Sequence, residues 1–362
     1  MTVVDSSVVR RKLVGGIPEL YAFLQPFKKA LVFAHANPDA DAYGSSCGLA
    51  LGLRNLGIAT QIYNESGVVE RYALLPGVAD VRQELPALSS IEEDTVVIVC
   101  DCGAAERLGE SYLEWFRSPK TVVNIDHHHA NSLFGDFNLV AEDASSTSEI
   151  IYTLLTHMEH ELGVLVGGTE TAIDTPTATS LLAGIIGDTG SFRYPSTSER
   201  TFLAAAELYR RGARPSVIAQ ELFSSVSLPA VRLQSEALAN ISIEHDGRFA
   251  AVTVTSEMVQ RLGAQLLDAD SLAERARDIK GVIVSALFKQ DVDMWRVSLR
   301  SRSAEFDVSA IARSFGGGGH KPAAAFRWRK DFTLLQQEVR ERVGLLLDGK
   351  FVEPEPTTTP GT

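Results

Sequence analysis

The stretch "HANPDAD", residues 35–41, places a histidine, an asparagine and two aspartates directly after the apolar run "ALVF". A run of that kind reads as a buried strand, and Pro38 ends it because proline has no amide N–H to give to a ladder. His35, Asp39 and Asp41 therefore follow a strand end. Asp101 ends a second run, "TVVIVCD", and Asp126, His127 and His128 end a third, "TVVNIDHH". Functional groups in an open parallel sheet gather outside the carboxyl ends of its strands, so these runs deliver acids and imidazoles to one edge. A further candidate, Asp188, follows the apolar segment "SLLAGIIGDTG", where flanking glycines let the backbone approach a neighbour closely.

Asp39, Asp41, Asp101 and Asp188, brought together without a basic partner, would repel one another and raise each other's pKa. Two divalent cations would balance these four carboxylates, and the imidazoles would complete the ligand set without adding charge. Mixed carboxylate and imidazole ligands without thiolate suit Mn²⁺ better than Mg²⁺, with Zn²⁺ and Co²⁺ left open. Such a site activates a bridging water and clamps the entering and leaving oxygens of a phosphoryl displacement. A lone aspartate at a strand end is most often a turn or cap residue. Metal chemistry is favoured here by the number of convergent groups. His157 and His160, in "HMEHE", lack the H-E-x-x-H spacing and are expected at the surface; His245, beside Asp246 and Gly247, reads as a turn residue.

A second candidate region is basic. Residues 281–330 hold nine Lys/Arg and four Asp/Glu, a balance of +5 that leaves −17 for the rest of the chain. Within it, "SLRSR" is followed by "FGGGGHKPAAAF". Consecutive glycines are poor in strand or helix interiors, and a loop whose amides face an anion, with Arg300 and His320 beside it, is the expectation. Trp295 and Trp328 are expected to pack rather than to stack on bases.

The elements that must position these groups alternate up to about residue 195. "ALVFAH", "ATQIY", "TVVIVCD" and "TVVNID" are nearly continuous in apolar residues, as parallel strands covered on both faces are. "AYGSSCGLALGLRNLG" reads as a small-residue helix closed by Gly57, and Ser146 with Glu149 predicts a capping box at the start of the next. The fold class is α/β with a mostly parallel sheet over residues 1–195. A helical linker is predicted over 196–240, a smaller α+β domain over 241–348 and a disordered Pro/Thr-rich tail over 349–362.

Composition sets the outer limits. With 362 residues, 45% of them hydrophobic, the chain is long enough for two domains. No apolar stretch reaches the length of a membrane span and no secretion signal is visible, so a cytoplasmic protein is expected. The net charge of −12 argues against coating long nucleic acid. Cys47, Cys100 and Cys102 show no C-x-x-C spacing and are expected as small buried hydrophobes.

Taken in order, "HANPDADAYGS", "DCGAAERLG", "NIDHHHAN", "FGDFNLV", "ASSTSE", "GIIGDTGSFRYPSTS" and "FGGGGHKPAAAF" resemble the DHH phosphoesterase superfamily over nearly the whole chain. Within it they are most similar to the nano-RNase and pAp-phosphatase subfamily, with its DHH-associated carboxy-terminal domain. The resemblance implies that His35, Asp39 and Asp101 hold one metal ion. Asp41, Asp101, His127 and Asp188 would hold a second, with Asp101 bridging. By the same likeness, His128 would lie beside the scissile phosphate and Asp126 would orient an imidazole. Arg300, Gly317, Gly318, Gly319 and His320 would bind the substrate's nucleotide or terminal phosphate from the second domain, and closing the cleft would limit substrate length.

The implied activity is Mn²⁺-dependent hydrolysis of very short RNA or DNA oligonucleotides to mononucleotides, with removal of the 3′-phosphate from pAp. No membrane partner is implied, and a homodimer stays open. Rival readings are a linear-dinucleotide hydrolase acting on pApA or pGpG, a RecJ-type exonuclease, a family II pyrophosphatase and a nucleotide-sensing module without turnover. RecJ-type chains need an added nucleic-acid-binding domain, and the pyrophosphatase lacks the glycine-rich motif. Two departures stand out. Ala40 occupies a position where glycine is expected, which matters little if its dihedrals are ordinary. The third histidine, His129, falls outside the motif pair. Residues 157–176 form a longer connection than the fold needs, with no function read from them.

Overall fold

The computed structural model describes residues 12–118, 120–163, 171–223 and 226–352. It divides into two compact units, Met1–Ser225 and Val226–Thr362.

The first unit is built on a seven-stranded, wholly parallel sheet in the order β1-β7-β6-β5-β2-β3-β4. Its strands are β1 (Leu13–Val14), β2 (Lys29–Ala34), β3 (Ala59–Tyr63), β4 (Val81–Arg82), β5 (Thr95–Cys100), β6 (Val122–Asp126) and β7 (Phe137–Val140). The four predicted strands, β2, β3, β5 and β6, are neighbours inside the sheet; β3 exposes Ala59 and Gln61, while the continuous apolar character of the other three has a simple cause. In β2, Ala30 and Val32 pack into one core layer while Leu31 and Phe33 pack into the layer behind the sheet, against Tyr63, Tyr112 and Trp115. Both faces are buried, so no position is left for a polar residue.

Helices cover the sheet: α1 (Ile17–Leu24), α2 (Ala40–Asn55), α3 (Glu110–Phe116), α4 (Thr147–Glu161), α5 (Thr175–Asp188), α6 (Glu199–Arg210) and α7 (Pro215–Phe223). Gly57, with φ +81°, follows the end of α2 as the predicted left-handed cap. β2 has β3 on one side and β5 on the other, so the side on which successive strands are added switches between β2 and β5. That switch point opens a crevice at the carboxyl ends of these two strands.

Small residues let α2 and α5 meet closely. A Cβ added at Gly44 would lie 2.7 Å from both the Ser180 carbonyl oxygen and the Gly184 nitrogen. One at Gly48 would lie 2.5 Å from Leu181 Cδ2, and one at Gly187 2.5 Å from Ala40 Cβ. Ala40, at the first turn of α2, is absent from the left-handed backbone positions, so its replacement of an expected glycine costs no backbone strain, and Gly187 makes room for its methyl. Cys47, Cys100 and Cys102 are free and buried, and desolvation pushes the Cys47 and Cys102 thiols up to about 12.

The second unit contains α8 (Leu228–Ala239), β8 (Ser242–Glu244), β9 (Phe249–Val254), α9 (Ser256–Leu262), α10 (Leu272–Arg277), β10 (Val284–Asp291), β11 (Met294–Ser301), α11 (Val308–Ser314), β12 (Gly318–His320), β13 (Ala323–Trp328) and α12 (Phe332–Leu347). Its six strands run β12-β13-β11-β10-β9-β8, parallel only between β9 and β10. The helices predicted between the sheets divide: α6 and α7 contribute Leu208, Ile218 and Leu222 to the core of the first unit, whereas α8 contributes Leu233 and Ala237 to the second. Trp295 stacks on Phe332 and Trp328 meets Phe315 edge-on, the packing role expected of them. His245 lies in the left-handed turn before β9. The predicted tail lies outside the described residues from 353 onward, as do residues 164–170 of the long connection. No helix among the described residues is long and apolar enough to cross a membrane.

The α2–α5 contact predicts an order of effects. Gly44→Ala, which meets fixed backbone, should destabilise by about 1–3 kcal/mol in urea unfolding, whereas Gly48→Ala, which meets a leucine side chain free to shift, should cost less. Equal losses would show that the backbone approach is not the limiting contact.

Candidate metal centre

Asp101 follows β5 with a left-handed backbone, φ +56°, a conformation aspartate tolerates better than most residues. Its amide donates to the Ile125 carbonyl of β6 at 3.0 Å, which fixes the turn. Three imidazoles surround the carboxylate. Oδ2 is 3.5 Å from His35 Nε2, and Oδ1 is 3.7 Å from His127 Nε2 and 3.6 Å from His128 Nδ1. His35, after β2, also lies 4.0 Å from Asp39 Oδ2. His127, after β6, lies 3.1 Å from Asp188 Oδ2 at the end of α5.

Two ligand-like groups result. The nitrogen and oxygen atoms of His35, Asp39 and Asp101 lie within 4.8 Å of one another, and so do those of Asp41, His127 and Asp188. His128 forms a third group with Asp101 and Asp126, and its Nδ1 meets Asp126 Oδ1 at 2.6 Å. His129 is exposed and pairs with Glu142. His157 packs edge-on against Tyr21, and His160 is exposed.

Each carboxylate is aimed by the backbone around it. Asp39 caps α2, with Oδ1 accepting from the amides of Asp41 and Ala42 at 3.0 Å each. Asp41 is buried, and its oxygens accept from the amides of Thr147 at 2.7 Å and Ser148 at 3.0 Å, at the positive end of the 15-residue helix α4. Thr147 also donates its hydroxyl to Asp101 Oδ1 at 3.2 Å. Asp126 Oδ2 accepts from Asn131 Nδ2 at 2.6 Å, and Arg107 Nη1 stands 3.4 Å from His128 Nε2. Sequence reasoning did not single out Thr147, Ser148, Asn131 or Arg107. "SSTSE" signalled a helix start, yet nothing local says that the freed amides of that start face an aspartate more than one hundred residues earlier.

The predicted capping box is half present. Ser146 Oγ accepts from the Glu149 amide at 3.1 Å. The Glu149 carboxylate does not return to Ser146; its Oε2 accepts from Ser145 Oγ at 2.6 Å and Thr201 Oγ1 at 2.8 Å. Burial explains the change, because a buried carboxylate needs more than one donor and the α6 hydroxyl supplies one.

Electrostatics show what the cluster lacks. Burial first, and then the charges of Asp101 and Asp188, push the Asp41 carboxyl well above its ordinary range. Asp188 is raised in the same way, by burial and then by Asp39 and Asp101, against the pull of His127. Burial would lower His127, but its hydrogen bond to Asp188 and the charges of Asp188, Asp101 and Asp41 raise it to about 11. Burial likewise opposes the rise at His35, which Asp101 and Asp39 drive. Burial works against Asp101 too, yet the His35 hydrogen bond and the neighbouring imidazoles hold it well below the carboxylate range. The shifts all favour protons where positive charge is missing. Carboxylate oxygens and imidazole nitrogens around an acidic centre are the donor set that divalent cations take.

In the second unit, Arg300 of β11 donates from Nε to Glu274 Oε1 at 2.6 Å. The glycine run departs from the expected anion-facing loop: Gly318–His320 is strand β12, paired antiparallel with β13. At Gly317 and Gly319, though not at Gly318, the neighbouring strand leaves no room for a side chain. A Cβ at Gly317 would lie 2.2 Å from the Ala325 carbonyl oxygen, and one at Gly319 2.6 Å from Ala324 Cα.

Residues 29–185 match the DHH family, N-terminal domain, and residues 247–344 match the DHHA1 domain. The chain belongs to the DHH family. It is 30% identical over 307 residues to the bifunctional oligoribonuclease and PAP phosphatase NrnA of Bacillus subtilis, covering 84% of this chain and 91% of that protein. It is also 30% identical over 299 residues to the protein of the same name from Thermus thermophilus, covering 81% and 82%. An exopolyphosphatase-related protein from Bacteroides fragilis has the same fold, with a TM-score of 0.79 at 23% identity over 91% of this chain and 97% of that one.

The raised groups carry a prediction about pH. With Asp41, Asp188, His35 and His127 all raised, protons compete with a cation for these atoms, so the affinity for added Mn²⁺ should rise with pH. Calorimetry in buffers of different ionisation enthalpy should show proton release on binding. Binding without proton release, or stronger at low pH, would contradict the arrangement.

Proposed function

We propose that this chain is a divalent-metal phosphoesterase that hydrolyses very short oligonucleotides to mononucleotides and removes the 3′-phosphate from pAp. The observation that carries the reading is Asp101, surrounded by His35, His127 and His128 at 3.5–3.7 Å in the crevice of a DHH-family sheet. The relatives at 30% identity, named for oligoribonuclease and PAP phosphatase activity, support it.

His35, Asp39 and Asp101 would hold one ion, and Asp41, Asp101, His127 and Asp188 would hold the other. Mn²⁺ is the proposed ion because the donors mix imidazole with carboxylate. When bound, two such ions supply the charge that favours in-line attack of water on phosphorus and departure of the leaving oxygen. The chain's own residues do the rest. Asp126 Oδ1 accepts a hydrogen bond from His128 Nδ1–H, which leaves Nε2 as the nitrogen available to a phosphate oxygen or a proton. Arg107, beside that nitrogen, adds positive charge where negative charge develops in the transition state. Asn131 keeps Asp126 in place. The α4 amides hold Asp41 in one orientation, so that ligand needs no rearrangement. Arg300, Gly317, Gly318, Gly319 and His320 bind the substrate's nucleotide or terminal phosphate.

Purified protein with Mn²⁺ should be offered pAp, pApA, a five-nucleotide RNA and a long single strand side by side. Rapid loss of the short substrates with the long strand spared is expected. Degradation of the long strand would favour a RecJ-type exonuclease, and cleavage of pApA alone a linear-dinucleotide hydrolase. Recovery of every nucleotide intact would point to a sensing module. Asp101→Ala should abolish turnover in a folded protein, and near-normal activity would remove the shared-ligand assignment. His320→Ala should weaken substrate use while calorimetry still finds Mn²⁺ bound; loss of metal in that variant would count against its role.

A further inference from the structure

In the second unit, α8 and α10 cover only the β9 and β10 side of one sheet face, through Val252, Val254 and Leu287. The remaining half of that face borders a cavity of about 610 Å³, a volume suited to a nucleotide-sized ligand. Its floor is small: Ser298 of β11 stands opposite Ala325 of β13, beside Gly317. Both ends are cationic. Arg300 marks one end, and four residues back along β11, roughly 13 Å at strand rise, Arg296 marks the other.

Arg296 does not stand alone. The register places Lys289 of β10 directly opposite it on one side and Arg327 of β13 directly opposite on the other. Three cations therefore form one row across three neighbouring strands, and all line the cavity. Like charges directly opposite on adjacent strands are destabilising, and a chain has no folding reason to place three in a row. Acids temper two of them: Lys289 pairs with Asp270, and Arg296 Nη2 lies 2.5 Å from Asp291 Oδ2. The Arg296 Nε is buried without a hydrogen-bond partner, and the exposed Arg327 guanidinium has no ion pair or hydrogen bond among the described residues. A row left short of negative charge, built from forked guanidinium donors, is a phosphate-binding surface.

We propose that Lys289, Arg296 and Arg327 form a second phosphate subsite, which takes the terminal phosphate of an oligonucleotide whose neighbouring nucleotide lies toward Arg300. This rests on the phosphoesterase reading above. Arg300 alone would select a nucleotide; the row selects for a phosphorylated end half the length of β11 away.

The test is equilibrium binding to the full chain with metal chelated, so that turnover does not interfere. The probes are a dinucleotide with a 5′-phosphate, with a 3′-phosphate and with neither, and inorganic pyrophosphate. One of the phosphorylated dinucleotides should bind about tenfold tighter than the bare one, the scale of one charge-assisted phosphate contact. Arg327→Ala should remove that preference, leave the bare dinucleotide within about twofold, and reduce the salt slope by about one. Arg300→Ala should weaken all three dinucleotides together. An unchanged preference in Arg327→Ala, or an equal loss for all probes, would overturn the subsite. If no dinucleotide binds but pyrophosphate does, and Arg327→Ala weakens it, the phosphate subsite stands and the oligonucleotide reading falls. Thermal unfolding supplies a second check. Without ligand, Arg327→Ala should melt at or above the wild-type temperature because a like-charge contact is gone, and a lower midpoint would deny that the row is strained.

Discussion

Five carboxylates and three imidazoles meet in a crevice that contains too little positive charge for all the carboxylates to ionise. Most of the first unit can be understood from that imbalance. Asp41 and Asp188 are driven toward neutrality and His35 and His127 toward the charged form, while Asp101, with imidazoles on several sides, remains an anion. A folded protein does not gain stability by such crowding, since burying charge without a partner is costly. The arrangement is explicable as a receptor for cations, in which the surrounding fold supplies the cohesion that the site withholds.

That cohesion comes from close contact of backbone. Asp41 begins α2 and Asp188 ends α5, so their separation depends on how nearly the two helices approach. Gly44 and Gly184 allow carbonyl and amide groups to come nearer than any side chain would permit, and Gly184 also leaves room for Ser148 and Asp41 themselves. The N-terminus of α4 completes the clamp by giving Asp41 two amides. Glu149 is spent on stabilising this corner, through Ser145 and Thr201, rather than on closing a capping box. A carboxylate held in this way is preorganised for a cation instead of being free to neutralise itself by turning away.

The second unit follows a different logic. Its sheet is covered on one face by α11 and α12 and only partly on the other, and the uncovered half is floored with alanine, serine and glycine. Such residues contribute little to a core, but they leave a flat surface with room above it. Glycine serves sterics here rather than flexibility, since β12 lies so near β13 that a Cβ at Gly317 or Gly319 would overlap the partner backbone. The +5 balance of residues 281–330 is concentrated by strand register into a row, which composition alone could not reveal.

Much of this was legible in the chain. The apolar runs at 29–34, 95–100 and 122–126 identify buried parallel strands because both of their faces are covered, whereas the run at 59–63 keeps Ala59 and Gln61 exposed; the acids and histidines after the buried runs identify a site because polar groups can leave a buried strand only at its end. The helix-ending Gly57 and the N-cap Ser146 were local signals with local causes. What required the tertiary structure were relations between distant segments. Thr147 and Ser148 act on Asp41 because two helix starts face one another, Glu149 finds a partner on a helix some fifty residues later, and the glycine run becomes a strand because β13 lies beside it. Sequence by itself determined which residue types stand at the ends of which elements, through periodicity and turn chemistry that operate within a few residues. Only the tertiary structure decided which of those ends meet, because that depends on packing and register summed over the whole core.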